Sequence, residues 1–350
     1  MLNVIRREIY VTNEKLTEKE FLSREFGLET KKSNDLVSDC LNEIRIYGNC
    51  LIATPNILSI IDQISYLPES SVIIFLLGNE TYEPDIFNCL NDKKSIKWAF
   101  IYNLPTKIYH VTSIFSLIGD ILDSGIKNLI GAESSFRHFL ISRNLKRQFE
   151  NISINYPHSR FPQGYSNNFV YQLLDLKIIN IKESLYESQK LSELREFSTR
   201  GIFLNFIGQL TNRRRISAIA MAEKTPNTII KIVKSFSGID YTDNYYVETQ
   251  INSKYCLVPP GFFNNQNHRY SESLILGSVP LILFHNSIDP SENFNWTKKL
   301  NVIRAHSFKY LIKYALQMSE KQRRQIVASE LINDTIEIMK VKITLESLLK

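Results

Sequence analysis

Arg269 and Glu272, three residues apart, are the pair in this chain best placed to do chemistry. They lie in residues 253–284, SKYCLVPPGFFNNQNHRYSESLILGSVPLILF. Tyr255-Cys256-Leu257-Val258, followed by Pro259-Pro260-Gly261, predicts a buried strand closed by a turn. A polar loop, 264–267, leads into a predicted helix over 268–276 with Gly277 at its cap, and 279–284 predicts a second strand. The whole reads as a parallel βαβ crossover. Both residues share one face of the first helical turn, just beyond the carboxyl end of a strand, where open parallel sheets bind ligands. An arginine at a helix N-terminus suits a phosphate, and a carboxylate beside it suits a ribose diol. The pair therefore fits a nucleoside diphosphate, although the same spacing also makes an exposed i,i+3 ion pair.

A second basic element lies upstream. Residues 202–207, IFLNFI, predict a strand, and the turn Gly208-Gln209-Leu210-Thr211-Asn212 leads into a helix starting near Arg213. Gly208 would let the backbone approach a phosphate. Arg213, Arg214 and Arg215 in the first turn oppose the helix dipole, and an anion nearby would relieve that opposition. Gly78-Asn79-Glu80-Thr81 follows the apolar run 71–77, SVIIFLL, again at a strand's carboxyl end. Glu80 is the best candidate for a general base that takes a proton from an acceptor hydroxyl. A surface Glu capping the next turn is the competing reading, and His110 and His138 are rival bases.

These elements need a frame of about two α/β domains, and 350 residues supply it. Hydrophobic residues at 43% and charged residues at 22% are those of a water-soluble globular enzyme. A net charge of +6 suits a phosphorylated substrate or an anionic membrane face without demanding nucleic acid. No arginine-rich tail or zinc-finger spacing points to nucleic acid either. Cys40, Cys50, Cys89 and Cys256 form no CxxC pair and read as reduced thiols. No run reaches about 18 apolar residues, and MLNVIRREIYVTNEK has no signal-peptide core. Basic stretches at 137–149 and 321–324 read first as solvated faces.

The string Ser253-Lys254-Tyr255-Cys256-Leu257, Pro259, Gly261, Arg269-x-x-Glu272, Gly277-x-x-Pro280-Leu281-Ile282 resembles the C-terminal signature of exostosin-like glycosyltransferases. Phe206-x-Gly208 with Arg213 resembles the element that opens the nucleotide-binding half of that family. Gly78-Asn79-Glu80 resembles a motif with an acidic pair, Asn79 standing where the first acid would be. Phe161-Pro162-Gln163-Gly164-Tyr165 resembles the segment before the interdomain linker, and Asn295-Trp296 and Val302-Ile303 resemble the turn and last strand that follow. The 264–267 loop is unusually rich in Asn for the family, which implies a different donor sugar.

The resemblance implies the GT-B fold, α/β with two Rossmann-like domains whose parallel sheets face across a cleft. The expected division is an acceptor domain over 1–165, a linker over 166–200, a nucleotide-sugar-binding domain over 201–335, and a 336–350 helix packing back on the first domain. It implies inverting, metal-independent transfer of a sugar from a nucleotide-sugar donor to a cell-surface glycan or lipid-linked acceptor. Donor-binding residues would be Gly208, Arg213, Tyr255, Pro260, Gly261, Arg269, Ser271 and Glu272, with Glu80 catalytic. No cofactor and no metal are expected. A cytoplasmic bacterial member is implied, in peripheral contact with the inner membrane or other glycan-assembly enzymes and with no nucleic-acid partner. The alternative is a non-catalytic glycan- or nucleotide-binding scaffold that kept the fold.

Overall fold

The structure, a computed structural model, describes residues 7–12, 16–77, 90, 93–102, 158–162, 164–180, 183–209, 213–233, 244–259, 268–283, 303–305 and 308–350. Two compact units divide the chain. The first comprises the described residues before 104, the strand at His158–Phe161 and the C-terminal Ile336–Lys350. The second holds the described residues of Gln163–Thr335.

In the first unit the order is β1 (Arg7–Val11), α1 (Lys19–Phe26), β2 (Leu28–Lys32), α2 (Leu36–Tyr47) and β3 (Cys50–Thr54). A 3-10 turn at Ile57–Ser59 and α3 (Ile61–Ile64) follow, then β4 (Val72–Leu76), β5 (Ile96–Tyr102) and β6 (His158–Phe161). The six strands pair in parallel in the order β2-β1-β3-β4-β5-β6. Every residue of β3 and β4 is buried, which is why CLIAT and VIIFL read as unbroken apolar runs rather than alternating ones. Asp35 caps α2, its Oδ1 accepting the Ser38 amide at 3.1 Å. Residues 57–64 form the 3-10 turn and α3 rather than one continuous helix, and the Asn56 side chain caps the turn by accepting the Leu58 amide at 2.9 Å.

Phe161 closes the core of this unit. Its ring lies 5.0 Å from Phe26, 5.5 Å from Phe75, 5.8 Å from Phe21 and 6.3 Å from Phe100. Phe75 and Phe100 are register partners on β4 and β5 and stack at 4.7 Å.

The second unit opens with α4 (Asn167–Asp175), α5 (Gln189–Ser192) and a 3-10 turn at Phe197–Thr199. It continues with β7 (Ile202–Gly208), α6 (Arg213–Ala222), β8 (Thr228–Ile232), α7 (Tyr245–Asn252), β9 (Ser253–Val258), α8 (His268–Ile275), β10 (Val279–Leu283) and β11 (Ile303–Ala305). Two helices end the chain, α9 (Phe308–Gln317) and α10 (Glu320–Leu349). The five strands are parallel in the order β8-β7-β9-β10-β11. The last turns of α10 belong to the first unit, where the Leu348 carbonyl accepts Lys97 Nζ at 2.7 Å and Asn49 Nδ2 at 3.4 Å. A cation on the terminal carbonyls of a helix is the favourable end of its dipole.

Each sheet starts in its interior. The chain goes from its first strand to a neighbour on one side, then crosses to the other side for its third. Both units thus share the doubly wound order 2-1-3-4-5, with a topological switch point between first and third strands. In the second unit that point lies between β7 and β9.

Truncating the aromatic that joins four others leaves a cavity no neighbour can fill. Phe161→Ala is expected to cost about 3–5 kcal/mol in urea unfolding, and Phe161→Leu markedly less.

Candidate functional site

Parallel strand order decides which helix starts stand together. β7 runs into α6 and β9 into α8, and β7 and β9 are neighbours, so two helix N-termini stand side by side at one edge of the sheet. Arg269 occupies the first turn of α8 and reaches across to β7. Its Nε donates to the Ile207 carbonyl at 2.7 Å, and its guanidinium lies 5.0 Å over the Phe206 ring. A Cβ at Gly208 would come within 2.7 Å of the Arg269 Cζ and collide with its Nη2. Gly208 therefore makes room for the arginine, whereas the sequence suggested room for a phosphate. Both residues sit at the switch point, where open α/β sheets take ligands.

Glu272 is buried one turn further on, with 3% of its surface exposed. Its Oε1 accepts the Ser166 amide at 2.9 Å and the Ser166 hydroxyl at 2.7 Å, and its Oε2 accepts the Tyr246 hydroxyl at 2.6 Å. A carboxylate has about four acceptor positions, so three are committed inside the protein. Ser166 also caps α4 through Phe169, while Tyr246 belongs to α7. Glu272 thus fastens α8 to two other helices. The exposed Arg269–Glu272 ion pair that spacing allowed is not formed: both side chains are buried, and each is bound to other partners.

Of the other expected donor-binding residues, Tyr255 and Ser271 are directed elsewhere. Tyr255 is buried, and its hydroxyl donates to the Ala315 carbonyl of α9 at 2.7 Å. Strand alternation puts it on the opposite face of β9 from Cys256, the residue whose thiol feels both Arg269 and Glu272. The Ser271 Oγ lies 3.5 Å from Asp334 Oδ2 on α10. Arg213 begins α6, and the nearby Arg215 is buried with Nη1 donating to the Gln209 carbonyl at 2.9 Å. His268, at the head of α8, has Nδ1 3.4 Å from the Gly164 carbonyl, in the segment whose Gly164 adopts φ +61°. The described residues do not include Pro260, Gly261, Glu80, His110 or His138.

Two residues that the sequence did not single out matter here. Ser166 carried a signal in hindsight, a Ser before the amphipathic run NNFVYQLLD. Arg200 carried none. It is 2% exposed and donates to the carbonyls of Ser253 and Leu276, each at 2.8 Å, of Arg195 at 3.1 Å and of Gln250 at 3.4 Å, and to the Ser278 hydroxyl at 3.2 Å. All of these acceptors but Arg195 lie at or just past the C-terminal ends of α7 and α8, where the carbonyls are electron-rich. Gly277, at φ +73°, leaves space for it; a Cβ there would collide with the Ser192 carbonyl and stand 2.8 Å from the Arg200 Nη2. Burial, helped by Arg195, pulls the Arg200 pKa down to about 10, so it is still charged at neutral pH.

Burial also holds the phenols of Tyr246 and Tyr270 well above the usual range and pushes Tyr255 up to about 12 and Cys256 up to about 11. The Tyr270 hydroxyl donates to Glu330 Oε2 at 2.9 Å. Among the described residues no group of three or more His, Cys, Asp or Glu side chains stands ready to hold a metal ion.

Removing the acceptor that three donors share should be costly. Glu272→Ala is expected to lose about 2–4 kcal/mol, and Glu272→Gln, which keeps an acceptor for Ser166, about 1 kcal/mol, read from urea midpoints. Equal stabilities for the two variants would contradict this assignment.

The buried phenols set an alkaline limit on the second unit. Between pH 10 and 11 the fold keeps protons on Tyr246, Tyr255, Tyr270 and Cys256 that the unfolded chain has released, and gives up the one on Arg200 that the unfolded chain retains. Because the unfolded phenols and the folded Arg200 are themselves part-way through titration there, the folded state holds about two more protons than the unfolded one. Stability should be intact below about pH 9 and fall as pH rises, by about 3 kcal/mol per pH unit over that window. Chemical denaturation at pH 8 and across that window measures the slope.

No family model matches the chain, and no curated protein matches it. The fold and these residues are therefore what a functional reading has to rest on.

Proposed function

We propose that the chain is a GT-B glycosyltransferase that moves a sugar from a nucleotide-sugar donor to a glycan or lipid-linked acceptor. The observation that supports this best is Arg269, held by the Ile207 carbonyl against Gly208 at the switch point of a parallel sheet. An arginine fixed in advance at a helix N-terminus loses little rotamer entropy when it meets a diphosphate. In transfer it stabilises the charge that develops on the leaving diphosphate as the sugar's anomeric bond breaks. Arg213 and the loop at Pro260-Gly261 complete the anion site, and Glu80 takes the acceptor proton.

Glu272 enters this reading in a changed role. With Ser166 and Tyr246 occupying most of its acceptor capacity, it positions the first turn of α8 and so acts on the donor through Arg269. The reading carries no divalent metal, so a chelator in excess leaves turnover in place.

Titration calorimetry with UDP, GDP and CDP tests the donor site. At least one should bind, and Arg269→Ala should weaken it about tenfold to a hundredfold, with Arg269→Lys restoring part of the loss. Binding by none of them at millimolar concentration removes the assignment. Binding without turnover on any donor sugar would favour the scaffold reading, for which Asn79, standing where the related motif has an acid, is the motive.

A further inference from the structure

We propose that the outward face of α9 is a docking surface for a bilayer rich in anionic lipid. The helix is amphipathic in an unusual way. Phe308, Leu311 and Ala315 are buried in the core of the second unit, and Ala315 is tied to Tyr255 by its carbonyl. That packing fixes which residues point outward. They are Lys309, Tyr310, Lys313, Tyr314, Leu316 and Gln317.

The composition of this face is selective. Tyr310, Tyr314 and Leu316 are 60%, 57% and 68% exposed, large apolar surface left in water. Lys309 and Lys313 stand one turn apart, as do Tyr310 and Tyr314, so the lysine and tyrosine ridges run side by side. Neither lysine has an ion-pair partner among the described residues. No acidic residue occurs from 308 to 319, and Glu320 beyond it is already paired with Arg324 at 3.2 Å.

Charge complementarity chooses the occupant. Two unpaired cations beside exposed phenols match an interface that is anionic at its surface and apolar just beneath. Tyrosine rings settle at headgroup depth, and lysines on long stems reach lipid phosphates. A helix already packed on a sheet cannot leave it to span a bilayer, and among the described residues no helix is long and apolar enough to do so. The contact is therefore peripheral, made by side chains alone. This inference stands apart from the donor site: the docking residues touch none of Arg269, Gly208 or Glu272, so either reading can fail without the other.

Co-sedimentation of the full chain with vesicles tests it, using phosphatidylcholine alone and phosphatidylcholine mixed with phosphatidylglycerol. The chain should partition onto the mixed vesicles, weaken as salt is raised, and bind neutral vesicles poorly. Lys309→Glu with Lys313→Glu should lower the partition by more than about tenfold, at roughly fivefold for each lysine charge lost. Tyr310→Ser, Tyr314→Ser and Leu316→Ser together should also lower it while leaving its salt dependence. All substitutions lie on the exposed face, so melting temperatures should be unchanged. A mutant that melts early is replaced by Lys309→Gln with Lys313→Gln, read the same way. No binding to anionic vesicles, equal binding to neutral ones, or full binding by the variants would overturn the proposal. So would a face whose substitutions alter only self-association in sedimentation velocity, or one whose lysines retain an oligonucleotide more tightly than the mixed vesicles.

Discussion

A helix buried on every side has to satisfy inside the protein each polar group it carries, and α8 is such a helix. From Arg269 to Ile275 every residue is buried, yet Arg269, Tyr270, Ser271, Glu272 and Ser273 all bear polar atoms. The surrounding elements are arranged to meet them. The end of β7 supplies the Ile207 carbonyl to Arg269, Ser166 and Tyr246 meet Glu272, and Glu330 on α10 meets Tyr270. Unmet, each of these groups would cost more than its bond contributes, so the positions of α4, α7 and α10 follow from the polar sequence of α8 as much as from apolar packing.

Two of the buried arginines, Arg200 and Arg269, are held in contrasting settings. Arg200 donates to four carbonyls and a hydroxyl, most of them at the ends of two helices, which compensates its charge with dipoles and commits it to the fold. Arg269 is anchored by Nε to one strand-end carbonyl, over an aromatic ring and against a glycine. One arginine closes the C-terminal ends of helices, where partial negative charge makes it welcome. The other stands in the first turn of a helix, at the end opposite to the one Arg200 closes.

Much of the second unit was legible in the sequence because its strands are buried and its turns are marked. Residues 253–284 yielded strand, helix and strand close to where they lie, and Gly277 did prove to be the helix cap. In the first unit β1, β2 and β6 were not seen. LETKK has a single buried residue, and its pairing with β1 comes from tertiary context rather than from any periodicity of its own. The last helix runs unbroken to Leu349, its buried positions continuing through Ile338, Val341 and Leu345. Within the site, residue identity was readable and direction was not. Arg269 and Gly208 meet only because β9 lies beside β7, and strand order leaves no trace in local sequence. Glu272 was recognisable as chemically capable, but the partners that occupy it sit 106 and 26 residues away.

Both units use one topology, and the comparison shows how little of the chemistry topology decides. At the switch point of the first unit the described side chains are hydroxyls. Thr12 Oγ1 donates to Thr54 Oγ1 at 2.8 Å, and Thr54 Oγ1 in turn donates to the Asn56 carbonyl at 2.9 Å. At the equivalent point of the second unit stands a guanidinium held on a strand end, between the starts of two helices. Among the described residues the first arrangement is a pair of hydroxyls linked to each other, and the second holds a guanidinium. The strand order 2-1-3-4-5 opens a crevice in both cases, but the residues placed at its lip decide whether the crevice favours an anion. In the second unit the lip depends on Gly208, whose missing side chain is what allows Arg269 to lie where it does.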